Sequence, residues 1–159
     1  MINFKKGTGH SLAQSDKIGK AKLNEGVVSG MLVELNTSGE TVKVATNPGS
    51  DSAWANAKLL GFAINSQTDG DVIQSGKIGF LSLDGNSVIE TDQTDVEITA
   101  VNYPIGASIV TGATSGKVRV GSAANDGRII GNVEGIRNLP GVVNGVQKNV
   151  ALLGIKLKA

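Results

Sequence analysis

The chain has 159 residues, 40% hydrophobic and 18% charged, with a formal net charge of +1; this suits one globular domain, or two small lobes sharing a core. Near-neutral charge leaves no field to hold nucleic acid or an anionic membrane, and no apolar run approaches 18 residues, so neither partner and no transmembrane helix is expected. With no cysteine there is no disulfide or thiol chemistry, and the 22 glycines, scattered without a period of three, match the turns of many short strands.

Residues 1–25 are polar and keep no apolar period. They hold Lys5, Lys6, Lys17, Lys20 and Lys22, five of the fifteen Lys and Arg. The segment lacks the apolar stretch of a secretory leader, so none is expected. It reads either as a loose terminus or as an arm that orders on a partner, with Ile2 and Phe4 as apolar anchors. The β domain is expected to occupy residues 26–159.

From Val27 the pattern turns to strands. "VVSGMLVEL" (27–35) ends at the turn "NTSGE", and "TVKVAT" (41–46) alternates Val with polar residues. "NPGSDSAWANA" (47–57) reads as a loop with room for one helical turn capped by Asp51 or Ser52. "KLLGFAIN" (58–65) is apolar at consecutive positions, as a strand covered on both faces would be. After the turn "TDGD" come strands at 76–83, 88–92 and 95–101, the last placing Val96, Ile98 and Ala100 on one face. "YPIGASIVTG" (103–112), "KVRVGS" (117–122) and "RIIGNVEGI" (128–136) follow as strands. "RNLPGVVNGVQKN" (137–149) reads as a loop, and "VALLGIKLKA" (150–159) as a final strand.

The second half repeats the first. Gly30, Val42, Lys43 and Val44 recur 76 residues later as Gly106, Val118, Arg119 and Val120. Gly61 in "LLGFAI" recurs 70 residues later as Gly131 in "IIGNVEGI", a shorter interval that fits loss of the Trp54 loop. Two copies of one strand unit, about 26–83 and 102–158, are therefore expected. A small sheet has exposed edges and one open apolar face, which two copies resolve by packing face to face or closing into one barrel. The expected fold is all-β: short antiparallel strands forming a β-barrel or β-sandwich from two duplicated units, related by an approximate two-fold, with an extended N-terminal arm.

Chemistry is sparse. His10, the one histidine, lies in the unpatterned terminus, where a Ser-His-Asp geometry is hardest to hold. Asp69, Asp71, Asp92 and Asp95 sit at short spacing but complete no calcium loop, and read as turn residues. No cofactor, metal or catalytic residue is assigned. Trp54, the one tryptophan, is either a sugar-stacking or protein-contact anchor, or the residue that folds its loop onto the domain.

The stretches "GVVSGMLVEL", "AKLLGFAIN", "DGDVIQSGKIGFLSL", "YPIGASIVTG" and "RIIGNVEGI", in a small cysteine-free β protein with a polar N-terminal arm, resemble capsid decoration (cement) proteins of tailed bacteriophages. The resemblance implies a non-enzymatic structural protein of the virion, on the outer capsid surface. It implies the major capsid protein and further copies of the same chain, commonly in trimers, as partners. It also implies that the N-terminal arm contributes contacts, here Ile2, Phe4, Lys5, Lys6, Lys17, Lys20 and Lys22, with Trp54 as a further contact. Another head-fibre or tail component, or a carbohydrate-binding module using Trp54 and Tyr103, is the alternative.

Overall fold

A computed structural model of the chain describes residues 2–6, 18–21, 26–35, 41–46, 59–83, 85, 87–121 and 129–158. The strands among them are β1 (Ile2–Lys6), β2 (Ile18–Ala21), β3 (Leu32–Leu35), β4 (Thr41–Val44), β5 (Leu59–Ala63), β6 (Lys77–Ser82), β7 (Val88–Thr91), β8 (Ser108–Thr111), β9 (Val118–Val120), β10 (Gly131–Val143) and β11 (Val146–Leu157). One short helix, α1 (Gly70–Ser75), lies between β5 and β6. The fold is all-β, as the alternating pattern and turn chemistry predict.

The repeat holds at the level of strand register. In the β3–β4 hairpin Val33 faces Val44, Glu34 faces Lys43 and Leu35 faces Val42. In β8–β9, Ile109 faces Val120, Val110 faces Arg119 and Thr111 faces Val118, each pair 76 residues on. The β3–β5 pairs Leu32–Phe62 and Val33–Gly61 recur as Ser108–Asn132 and Ile109–Gly131 between β8 and β10. The β5–β6 pairs Gly61–Ser82, Phe62–Leu81 and Ala63–Phe80 recur as Gly131–Leu157, Asn132–Lys156 and Val133–Ile155 between β10 and β11.

Each copy begins one strand earlier than the sequence repeat suggests. β2 runs antiparallel to β6 and parallel to β4, closing a five-stranded barrel. β7 runs antiparallel to β11. The chain just past β7 reaches β9 in parallel through Thr94 and Val118. Val118 N donates to Gln93 O and Asp95 N to Val118 O, both at 3.0 Å. β2–β6 and β7–β11 are thus two rings with the same strand order. Residues 1–25, expected to stand outside the β domain, supply β2 to the first ring and β1 to the outer edge of β7, where Phe4 pairs with Ile89. β2 reads Ile-Gly-Lys-Ala and β7 Val-Ile-Glu-Thr; nothing in these short stretches marks them as equivalent.

The duplicated glycines have duplicated duties. Gly30 and Gly106 have φ of 92° and 82°, a region that side chains with a Cβ rarely adopt. Gly30 N donates to Ala63 O at 2.8 Å and Gly106 N to Val133 O at 2.9 Å, so the same turn feeds the same strand pair twice. At Gly61 and Gly131 the constraint is space. A Cβ on Gly61 would overlap the backbone carbonyl of Leu81, and one on Gly131 that of Lys156, the equivalent residue of the partner strand.

Inner positions are apolar in both rings. Val33, Val42, Val44, Ala63, Ile78 and Phe80 fill the first. Ile109, Val118, Val133, Leu153 and Ile155 fill the second, with Val120 packed against them. The outward face of the first ring is apolar as well: Leu32, Phe62 and Leu81 are buried in the cluster of the second ring, with Leu59 and Leu83 against it. Their equivalents Ser108, Asn132 and Lys156 are polar, and none is buried. A two-fold would bury equivalent faces against each other, so the expected two-fold is replaced by a head-to-tail packing. At the junction the β8–β9 turn docks on the first ring. Leu32 N donates to Gly116 O at 2.8 Å and Gly116 N to Ala45 O at 2.7 Å, while the buried Thr91 hydroxyl donates to Gly30 O at 2.9 Å.

Two further readings are corrected. Residues 95–101 form no strand but bends and turns, because Thr99 caps a turn: its carbonyl accepts from Tyr103 N and its hydroxyl from Asn102 N. Residues 137–149 are no loop. β10 and β11 pair without a break from Ile136–Leu153 to Val143–Val146, around Asn144 and Gly145 at φ of 51° and 77°. Asn-Gly with two positive φ values is the two-residue hairpin turn whose twist matches the strands. Pro140 is tolerated because β10 pairs with β8 only through Gly131 and Asn132, leaving the rest with β11 as its neighbour.

Candidate interaction surfaces

The residues singled out from the sequence do not converge. Ile2, Phe4, Lys5 and Lys6 lie on β1, one edge of which is occupied by β7. Lys20 lies on β2, between β4 and β6. His10, Lys17, Lys22, Asp51, Ser52 and Trp54 fall outside the described residues. Tyr103, a candidate for glycan stacking, is 1% exposed and its hydroxyl donates to Val118 O at 3.4 Å. A ring enclosed in this way offers no face to a sugar, and burial raises its pKa above the ordinary value near 10. Among the described residues no group of three His, Cys, Asp or Glu could hold a metal ion. No helix among them is long and apolar enough to cross a membrane.

Two acidic residues have structural roles. The Asp95 carboxylate accepts the backbone N–H groups of Ala113 and, at 3.1 Å, Thr114. It thereby holds the β8–β9 turn that docks on the first ring. Glu90, on β7, is 1% exposed and takes a forked pair of bonds from Arg137 of β10, with Arg137 Nε at 3.0 and 3.1 Å from its two oxygens. The hydrogen bond to Glu90 raises the Arg137 pKa still further, so the guanidinium stays charged. Planar guanidinium against carboxylate fixes orientation as well as distance. This anchors the point where β10 and β11 leave the ring.

Three surfaces stand out. The first is the β10–β11 ribbon beyond that anchor. β11 pairs with β7 only from Leu153 to Lys156, so toward the tip each strand has the other as its described neighbour. Val142 and Val146 near the tip are 68% and 56% exposed. The second is the loop entering β8, which holds Val101 and Ile105 in solvent. The third is a groove on the first ring between the turn at Val27 and Val28 and the end of α1 at Ile73. The N-G signal for the ribbon was present in the sequence. The two exposed aliphatics and the groove had no local signal, because each depends on which neighbours the fold leaves away.

Comparison of the chain with protein-family models, with curated proteins and with solved structures returned no match to any of them.

Proposed function

We propose that the protein is a structural component of a tailed-bacteriophage virion, a decoration protein that binds the outer capsid surface and stabilises the head without catalysis. The observation that carries the reading is the β10–β11 ribbon. A two-stranded hairpin on its own is marginal in water. Here one extends past the six-stranded sheet of the second unit, stiffened by the Asn144–Gly145 turn and the Glu90–Arg137 anchor, and ends in exposed Val142 and Val146. A stiff projection tipped with aliphatics suits insertion between subunits of a larger surface. The likeness of the glycine-turn phrasing to decoration proteins supplies the identity of that surface, the major capsid protein. Ile2, Phe4 and the N-terminal lysines, with Trp54, add a second contact in this reading, and a trimer of chains multiplies modest contacts through avidity.

The test is electron microscopy of particles that carry the protein, joined to a shortened variant. Copies at regular sites on the outer surface, touching the capsid through residues 138–149, are the expected result. Replacing 139–150 by Asn-Gly leaves the Asn138–Ala151 pair to close the hairpin, and should leave a folded chain that no longer co-sediments with particles. Absence of the protein from the outer surface would overturn the capsid reading. Undiminished binding by the folded short variant would move the contact elsewhere.

A further inference from the structure

The two rings meet beside a methionine. Met31 stands just before β3, and the β8–β9 turn docks there: Leu32 N donates to Gly116 O at 2.8 Å and Gly116 N to Ala45 O at 2.7 Å. Gly116, at φ of 77°, lies so close that a Cβ on it would overlap Val44 Cγ1 and come within 3.0 Å of Met31 Sδ and 3.2 Å of Met31 Cβ. The thioether is thus a packing surface for the docked turn. Met31 also packs on the inner cluster of the first ring. It is half-buried rather than enclosed, so solvent reaches the residue.

The backbone has no freedom to carry this side chain away. Met31 N donates to Val28 O at 3.0 Å, and Met31 O accepts from Ala63 N at 2.8 Å. Gly30, the residue before, is held at φ of 92°, and its carbonyl takes the Thr91 hydroxyl at 2.9 Å, a further bond between the rings. The equivalent position in the second ring, 76 residues on, is Ala107. Sulfur therefore stands at this turn in one copy of the repeat and not in the other. Met1 is the only other methionine of the chain.

We infer that Met31 is an oxidation site whose sulfoxide loosens the junction between the two rings. The co-reactant is a peroxide. The sulfur lone pair forms a bond to one peroxide oxygen, the O–O bond breaks, and its electron pair leaves with the other oxygen. With hydrogen peroxide a proton passes to that oxygen and water departs, so sulfur is oxidised and the peroxide reduced. An apolar, flexible side chain becomes a polar one. With the backbone fixed, the new oxygen either presses on Gly116 or turns to water and draws the sulfur off the turn. Both weaken the dock. Methionine sulfoxide reductase reverses the step, taking electrons from a thiol and releasing the oxygen as water. The inference is independent of the capsid reading, and its failure leaves that reading untouched.

The experiment treats the folded full chain with hydrogen peroxide, locates the added oxygen by peptide mass spectrometry, and follows melting temperature and amide exchange. Met31 should be oxidised, with the melting temperature lowered by about 3 °C or more. Exchange of the Leu32 and Gly116 N–H groups, which make the docking bonds, should quicken about tenfold, and by more than exchange in β10 and β11. Reductase treatment should restore both measures. Met31→Leu conserves volume and should melt close to wild type. Peroxide then has only Met1 to act on and should leave that variant's melting temperature unchanged. Met31 that stays unmodified in the folded chain, under peroxide that oxidises it in urea, overturns the inference. So does oxidised Met31 with an unshifted melting temperature, or exchange that quickens no more at the dock than in β10 and β11. A Met31→Leu variant that peroxide still destabilises overturns it as well.

Discussion

The ring of β2–β6 and the ring of β7–β11 share strand order, and the pairs of β3–β4, β3–β5 and β5–β6 recur in register in β8–β9, β8–β10 and β10–β11, yet the two rings present different outer surfaces. Inner positions such as Val33 and Ile109, or Phe80 and Ile155, are apolar in both. Outer positions diverge: Leu32 against Ser108, Phe62 against Asn132, Leu81 against Lys156, Leu83 against Lys158. Inner residues keep a barrel closed, and a one-residue slip would turn them to the wrong face. Outer residues decide only what the barrel leans on. The first ring leans on the second, while the second offers a polar face at the same place. A polar outer face of this kind caps a stack of repeats rather than extending it.

The same contrast appears at the last junction of each ring. Between β5 and β6 the chain makes the turn of α1, ended by Gly76 in the left-handed conformation with its N–H on Val72 O. Between β10 and β11 it continues the ladder into the projecting ribbon. Both insertions join equivalent strands, and the shared pairing of those strands is kept with either one.

The comparison is broken most directly at equivalent outer residues. Leu81→Ala should cost about 2–5 kcal/mol, since it removes a side chain buried between the rings. Lys156→Ala, at the matching exposed position, should change stability by no more than about 0.5 kcal/mol. Urea unfolding of the two variants measures the difference, and equal costs would mean that the rings do not depend on that face. A smaller effect sharpens the likeness. Gly61→Ala and Gly131→Ala should each cost about 1–3 kcal/mol or more, because both insert a Cβ into a partner-strand carbonyl, with Gly61 the worse of the two. Thermal melts that spare either variant would show that the two close approaches are not equivalent.

The smallest effect concerns Tyr103, which replaces Val27 of the first ring. Burial raises its folded pKa above the unfolded value near 10. Below pH about 10 both states hold the proton and the stability is fully present. As pH rises through the unfolded value, the unfolded chain loses its proton first, so the contribution falls. Denaturation midpoints from pH 9 to 11 should drop less in Tyr103→Phe than in wild type, where a hydroxyl titrates.

Much of this architecture was legible in the chain itself. Val42 and Val118, Gly30 and Gly106, and Gly61 and Gly131 mark the repeat because inner apolar residues and constrained glycines answer to the backbone near them. β5 read correctly as covered on both sides, since Leu60 and Ala63 face one cluster and Leu59 and Phe62 the other. The ribbon is hidden in the sequence because Pro140, Gly135 and Gly141 outweigh the Asn144–Gly145 signal, and a two-stranded edge tolerates all of them. β1, β2 and the parallel closures to β4 and β9 could not be read locally. A strand of four or five residues takes its identity from the edge it completes, and that edge is assembled by residues far away in the chain. The head-to-tail packing of the rings was likewise beyond the repeat. Identical registers are compatible with any relative placement, and only the tertiary structure shows which outer face is buried and which remains in water.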